Sequence, residues 1–231
     1  MAKISPSKLL PRDAKGRAEQ ANTRPVLPDG QPIVISAATL NNPDIAAHTP
    51  LSSTVNGKPV NKIDLYHDRQ QKQWSQEEII IETTKCLNSS VYFVHNYCYI
   101  EDRSSGDVFR FDLWPDQMKV LRAFESNKMV IVLKPRQIGM TWLALCYALW
   151  LVLFKPGVTV LLFSLRDDEA QELLTRLRNV YNRLPKWLQC REVTKSDAHD
   201  FWLSNNSQVK AFPTGKGDSY TATLAIFDEA D

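Results

Sequence analysis

Two stretches of this sequence carry residue types that can handle phosphate. The first reads Lys134-Pro135-Arg136-Gln137-Ile138-Gly139-Met140-Thr141. Laid on the phosphate-loop pattern G-x-x-x-x-G-K-[ST], it matches at Gly139 and Thr141; Lys134 stands at the first Gly and Met140 at the usual Lys. Gly139 lets the backbone curl around a phosphate, and the Thr141 hydroxyl can ligate Mg²⁺. Met140 carries no charge, so the cation that phosphates demand must come from Lys134 or Arg136. Lys134 acts as a point charge, and the Arg136 fork suits a second clamp on a γ-phosphate. The loop alone reads equally well as an ordinary basic turn between a strand and a helix.

The second stretch is Leu224-Ala225-Ile226-Phe227-Asp228-Glu229, four apolar residues followed by two acids. A buried strand ending in Asp then Glu is the Walker B arrangement. Asp228 is expected to hold Mg²⁺ through water and Glu229 to polarise the attacking water. The two stretches occur in the required order, and together they predict a site for ATP and Mg²⁺. A third piece, Phe111-Asp112-Leu113-Trp114-Pro115-Asp116-Gln117, lies upstream. A glutamine amide can both donate to and accept from an adenine edge, so Gln117 is a candidate base reader. Trp114 or Phe111 is placed to pack beside the ring. The plainer reading of Gln117 is a surface residue at a helix start.

These residues need a strand-and-helix frame. Met129 to Leu133 is a continuous apolar run, as expected of a strand buried on both faces of a parallel sheet. It leads through the loop into an all-apolar helix over 141–154. Val158 to Phe163 reads as a second buried strand, and 166–184 as a polar-faced helix ended by Pro185. Phe201–Ser204 and Gln208–Phe212 flank Asn205-Asn206-Ser207, a hairpin signal. Upstream, helices are expected over 77–87 and 114–126, the latter with Pro115 in its first turn. A small hairpin is expected from 97–101 and 108–111. The fold class is therefore α/β: a P-loop NTPase with a mostly parallel central sheet flanked by helices. Ligands are expected at the carboxyl ends of the strands.

The chain is expected to divide into a disordered Pro-rich tail (1–75), a lead-in helix and hairpin (76–112) and the ATPase domain (113–231). The tail holds eight of the thirteen prolines and ten Lys/Arg against six Asp/Glu, while the whole chain is only +2. That balance does not advertise a nucleic-acid binder. Cys86, Cys98, Cys146 and Cys190 form no C-x-x-C pair, so neither zinc nor a disulfide framework is expected. Met1 to Pro6 lacks the apolar core of a secretory signal. The longest apolar run, Trp142–Phe154, is too short to cross a bilayer, so no membrane role is expected.

Arg136-Gln137-Ile138-Gly139-Met140-Thr141 resembles the phosphate loop of large terminase subunits, which often read R-Q-x-G-x-[ST]. A lysine moved to the motif's start, as at Lys134, also occurs among them. Leu113–Gln117 looks like their adenine motif, Tyr92–Glu101 like their lead-in, Leu203–Ser207 like their hairpin, and Gly215–Asp231 like their run into Walker B. The resemblance covers roughly residues 76–231. It implies a motor that drives double-stranded viral DNA through a portal protein, assisted by a small terminase subunit and working as a homo-oligomeric ring. It also implies a location in the cytoplasm of an infected host cell. The family's coupling motif and nuclease domain would follow Asp231, so no nuclease residue is assigned, and a fragment or a split or decayed gene is expected. The alternatives are a DEAD-type helicase, suggested by Asp228-Glu229-Ala230-Asp231 but lacking G-K-T at the loop, and a catalytically dead P-loop remnant.

Overall fold

The computed structural model describes residues 54–55, 58–59, 72–101, 107–133, 138–214 and 220–228. Within the expected tail, Thr54–Val55 (β1) and Lys58–Pro59 (β2) pair antiparallel; the rest of the tail reading, up to residue 71, lies outside the described residues.

Helix α1 (Gln76–Asn88) starts at Ser75, whose hydroxyl accepts from the Glu78 N–H while Glu78 accepts from the Ser75 N–H. This reciprocal cap satisfies two amide groups that the helix itself cannot. Ser89 closes α1 and also caps α2 (Ser90–Tyr97), accepting from the Tyr92 N–H. A β3–β4 hairpin follows (Tyr99–Glu101 and Val108–Arg110), in the expected place. Helix α3 spans Pro115–Ser126.

Helix α4 (Met140–Phe154) is apolar on every side, and eleven of its fifteen residues are buried. Such a helix needs neighbours all round. It has α2 and α3 on one side and α5 (Asp167–Arg183) and the sheet on the other. The Trp150 indole donates to the Cys86 carbonyl at 2.8 Å, tying α4 to α1. Helix α5 buries Ala170, Leu173, Leu174, Leu177, Val180 and Tyr181, the three- and four-residue spacing of one helical face.

Five strands make the main sheet in the order β6 (Val193–Ser196), β7 (Asp200–Leu203), β8 (Gln208–Pro213), β5 (Thr159–Ser164), β9 (Leu224–Phe227). Strands β8, β5 and β9 run parallel, whereas β6–β7 and β7–β8 are antiparallel. The sheet is thus mixed, not mostly parallel. The cause lies in the sequence: the Asn205–Ser207 turn, with Asn206 at φ 62°, reverses the chain within three residues and forces antiparallel pairing. The same turn is bolted to α4, since the Asn205 side chain donates to the Val152 carbonyl at 2.8 Å. Strand β6 was not expected. Its sequence, Val-Thr-Lys-Ser, has no apolar alternation because it is a half-exposed strand.

A larger correction concerns Met129–Leu133. This run is not a strand, and Met129, Ile131 and Leu133 are 82%, 82% and 96% exposed. An apolar run becomes a central strand only beside a strand with free backbone groups. In the described sheet both edges of β5 are taken by β8 and β9, and the run does not pair with β9, which is the edge strand.

On the other side of the hairpin, Asp200 accepts from Lys195, from Lys210 at 2.7 Å and from the Trp202 indole at 3.1 Å. Burial opposes its charge, but these donors prevail and hold its carboxyl down at about 2. Between the ordinary 3.8 and about 2, the unfolded chain binds more protons than the folded one. The Asp200 contribution is therefore complete above that window and lost as pH falls through it. Acid titration of the unfolding midpoint should show a fall across this window in the wild type and a shallower one in Asp200→Asn. Parallel curves would contradict the assignment.

Candidate functional site

Strand β5 ends at Ser164 and β9 at Phe227, on the same edge of the parallel part of the sheet, with Phe163 opposite Phe227. The Asp228 N–H donates to the Phe163 carbonyl at 3.0 Å, which carries the strand pairing one residue further. Asp228 therefore stands at the carboxyl end of its strand, where the sequence put it.

Helix α4 points its N-terminus at the same place. The Thr141 hydroxyl, in its first turn, donates to Asp228, with 3.0 Å to each carboxylate oxygen. Residues 87 apart in sequence thus meet directly. Gly139 precedes the helix in the left-handed region at φ 73° and, having no side chain, makes no cap bond to the helix start. A glycine is the residue that adopts that backbone without strain. The first amides of a helix have no carbonyl within it to bond, and with the helix dipole they favour an anion.

Next to this contact lies a cavity of about 500 Å³ whose walls include Thr141, Ser164, Glu169, Glu172, Arg176 and Asp228. Its wall is net acidic. Hydrogen bonds from Arg166 and then from Ser164 outweigh burial and hold the Glu169 carboxyl below its usual range. Arg176 bonds Glu172 at 3.2 Å and lies over the Trp142 ring, 5.6 Å from its centre. Neither Ser164 nor Arg176 was among the expected site residues. The rule that ligands gather at strand carboxyl ends pointed toward Ser164; nothing in the sequence singled out Arg176 among the charges of α5.

The upstream motif also arrives. Gln117 is buried at the start of α3, and its amide bonds the Ile138 carbonyl at 3.0 Å. Trp114 is 63% exposed, whereas Phe111 is buried. The structure therefore brings together Gln117, Ile138, Gly139, Met140, Thr141 and Asp228. Lys134, Pro135, Arg136, Gln137 and Glu229 lie outside the described residues. No helix among the described residues is long and apolar enough to cross a membrane.

No family model matches the chain. Among solved structures, it is similar to the crystal structure of the HK97 bacteriophage large terminase. The match covers 62% of this chain and 31% of that one, with a TM-score of 0.50 and 20% identity. At that identity the likeness is one of fold, and the chain spans about a third of that protein.

Proposed function

We propose that this chain is an ATP-binding and ATP-hydrolysing motor domain of the large-terminase kind, which drives double-stranded viral DNA into a procapsid. The observation that carries this reading is the Thr141–Asp228 contact at the open end of α4. A hydroxyl and a carboxylate are hard oxygen donors, the set that suits Mg²⁺. Both belong to motifs read independently from the sequence, and the fold likeness to a large terminase agrees with them.

In this reading Thr141 and Asp228 hold Mg²⁺, and the amides that open α4 bind phosphate oxygens. The metal, when bound, neutralises charge on the β- and γ-phosphates. Lys134 and Arg136 supply the remaining positive charge, which the acidic cavity wall makes necessary. Glu229 orients and deprotonates the attacking water. Trp114, exposed at the start of α3, offers a face to the base. Double-stranded DNA, a portal protein, a small terminase subunit and further copies of this chain are the partners, in the cytoplasm of an infected host cell.

Nucleotide affinity of the intact chain tests the reading. Lys134 meets phosphates common to ADP and ATP, so Lys134→Ala should weaken both. Arg136 clamps the γ-phosphate, so Arg136→Ala should weaken ATP selectively. Loss of one charge-assisted hydrogen bond is worth about 1.5–3 kcal/mol, or roughly 10- to 150-fold in affinity. A wild-type chain that binds neither nucleotide would leave a phosphate-loop remnant and defeat the proposal.

A further inference from the structure

Resting on the nucleotide-site reading, we propose that Gln117 is a positioning residue that latches the phosphate loop and does not read the base. Its side chain is committed at both ends. The Oε1 atom accepts from the Trp114 N–H at 2.9 Å, closing the start of α3. The Nε2 atom donates to the Ile138 carbonyl at 3.0 Å, twenty-one residues away. The residue is only 4% exposed, so its remaining N–H and lone pair are largely withdrawn from any ligand that approaches from solvent.

The bond to Ile138 has a directional consequence. Among the described residues no peptide bond is cis. In a planar trans peptide the carbonyl and the following N–H point in opposite directions. Turning the Ile138 carbonyl toward Gln117 therefore aims the Gly139 N–H away from it. A flipped peptide would present a carbonyl where an amide had been, and a carbonyl repels phosphate. Gly139 has the freedom that makes such a flip easy, at φ 73°. The space beside it is also walled: a Cβ there would lie 3.4 Å from Gln117 Nε2 and 3.5 Å from the Phe111 ring. Gln117 thus supplies the restraint that a glycine lacks.

The latch is itself anchored. The Leu113 N–H donates to His95 Nδ1 at 3.1 Å, fixing the 111–117 segment to α2. That nitrogen accepts only when the imidazole is neutral. Burial, aided by Arg110 and opposed by Asp112, lowers the His95 pKa and keeps it so.

Gln117→Glu in the intact chain separates the two ends. It keeps an acceptor for the Trp114 N–H and removes the donor to Ile138. Dissociation constants are measured for Mg-ATP, Mg-GTP and inorganic triphosphate, together with deuterium exchange of the unliganded 138–145 segment. The expected result is weakening by at least about threefold, equal for all three ligands, since the variant loses one hydrogen bond and sets a carboxylate against the Ile138 carbonyl. Exchange over 138–145, which contains the Leu143 N–H to Gly139 carbonyl bond that opens α4, should speed up. Weakening confined to ATP makes Gln117 a base reader and overturns the proposal. Unchanged exchange overturns it whatever the affinities do. If the wild type binds none of the ligands, the nucleotide reading fails, and the exchange comparison alone decides the latch.

Discussion

Glu229→Gln should leave ATP binding intact and slow hydrolysis by about 10²–10⁴-fold, the span for loss of a general base. A carboxylate that takes a proton from water acts on the transition state and contributes little to holding the nucleotide. Glutamine keeps the size and polarity of the side chain and removes its charge and its basicity. Ring-forming ATPases often receive a cation from a neighbouring subunit, worth roughly 10³-fold or more in turnover. The wild-type chain alone should therefore turn over slowly, and the comparison needs a single-turnover assay with labelled ATP. Equal rates in the two proteins would remove Glu229 from the mechanism.

Thr141→Ala and Asp228→Ala should each weaken Mg-ATP binding far more than binding of ATP in excess chelator. The two side chains touch at 3.0 Å, so they act on one ligand and not on two. Their effects should also be coupled: once one is removed, removing the other should cost much less, with an interaction energy in the range of about 0.5–3 kcal/mol. Isothermal titration of the two single variants and the double variant, with and without Mg²⁺, supplies all the terms. Equal losses with and without the metal would contradict the assignment.

How much of this was legible in the sequence depended on whether the signal was local. Asp228 was found because four apolar residues ending in an acid define both a strand and its exit. Thr141 was found because a glycine and a hydroxyl opened an apolar helix. They were expected at the ends of adjacent strands; the strand expected to lead into Thr141 is not formed, and Thr141 reaches Asp228 from the first turn of α4. The Asn205–Ser207 hairpin was equally clear, since turn chemistry is written in two or three residues. What failed was non-local. Met129–Leu133 has the composition of a central strand, but composition does not name a neighbour, and in the described sheet the run does not pair with β9, the edge strand. Strand β6 is polar and takes its place by pairing with Phe201–Leu203, a partner that no local pattern identifies. Gln117 was picked out at a helix start, but no local pattern shows that its amide reaches the Ile138 carbonyl, twenty-one residues away. Arg176 enters the cavity only through the packing of α5 beside α4.

The central claim is that a Mg-nucleotide sits where Thr141 meets Asp228. Ferrous iron substituted for magnesium, with ascorbate and peroxide, cuts a polypeptide beside the bound metal and so reports the position directly. With ATP present, the account predicts cleavage near residue 141 and near residue 228, abolished by excess Mg²⁺ and by Asp228→Ala. Cleavage elsewhere in the chain, or cuts at these positions that do not depend on nucleotide, would contradict it.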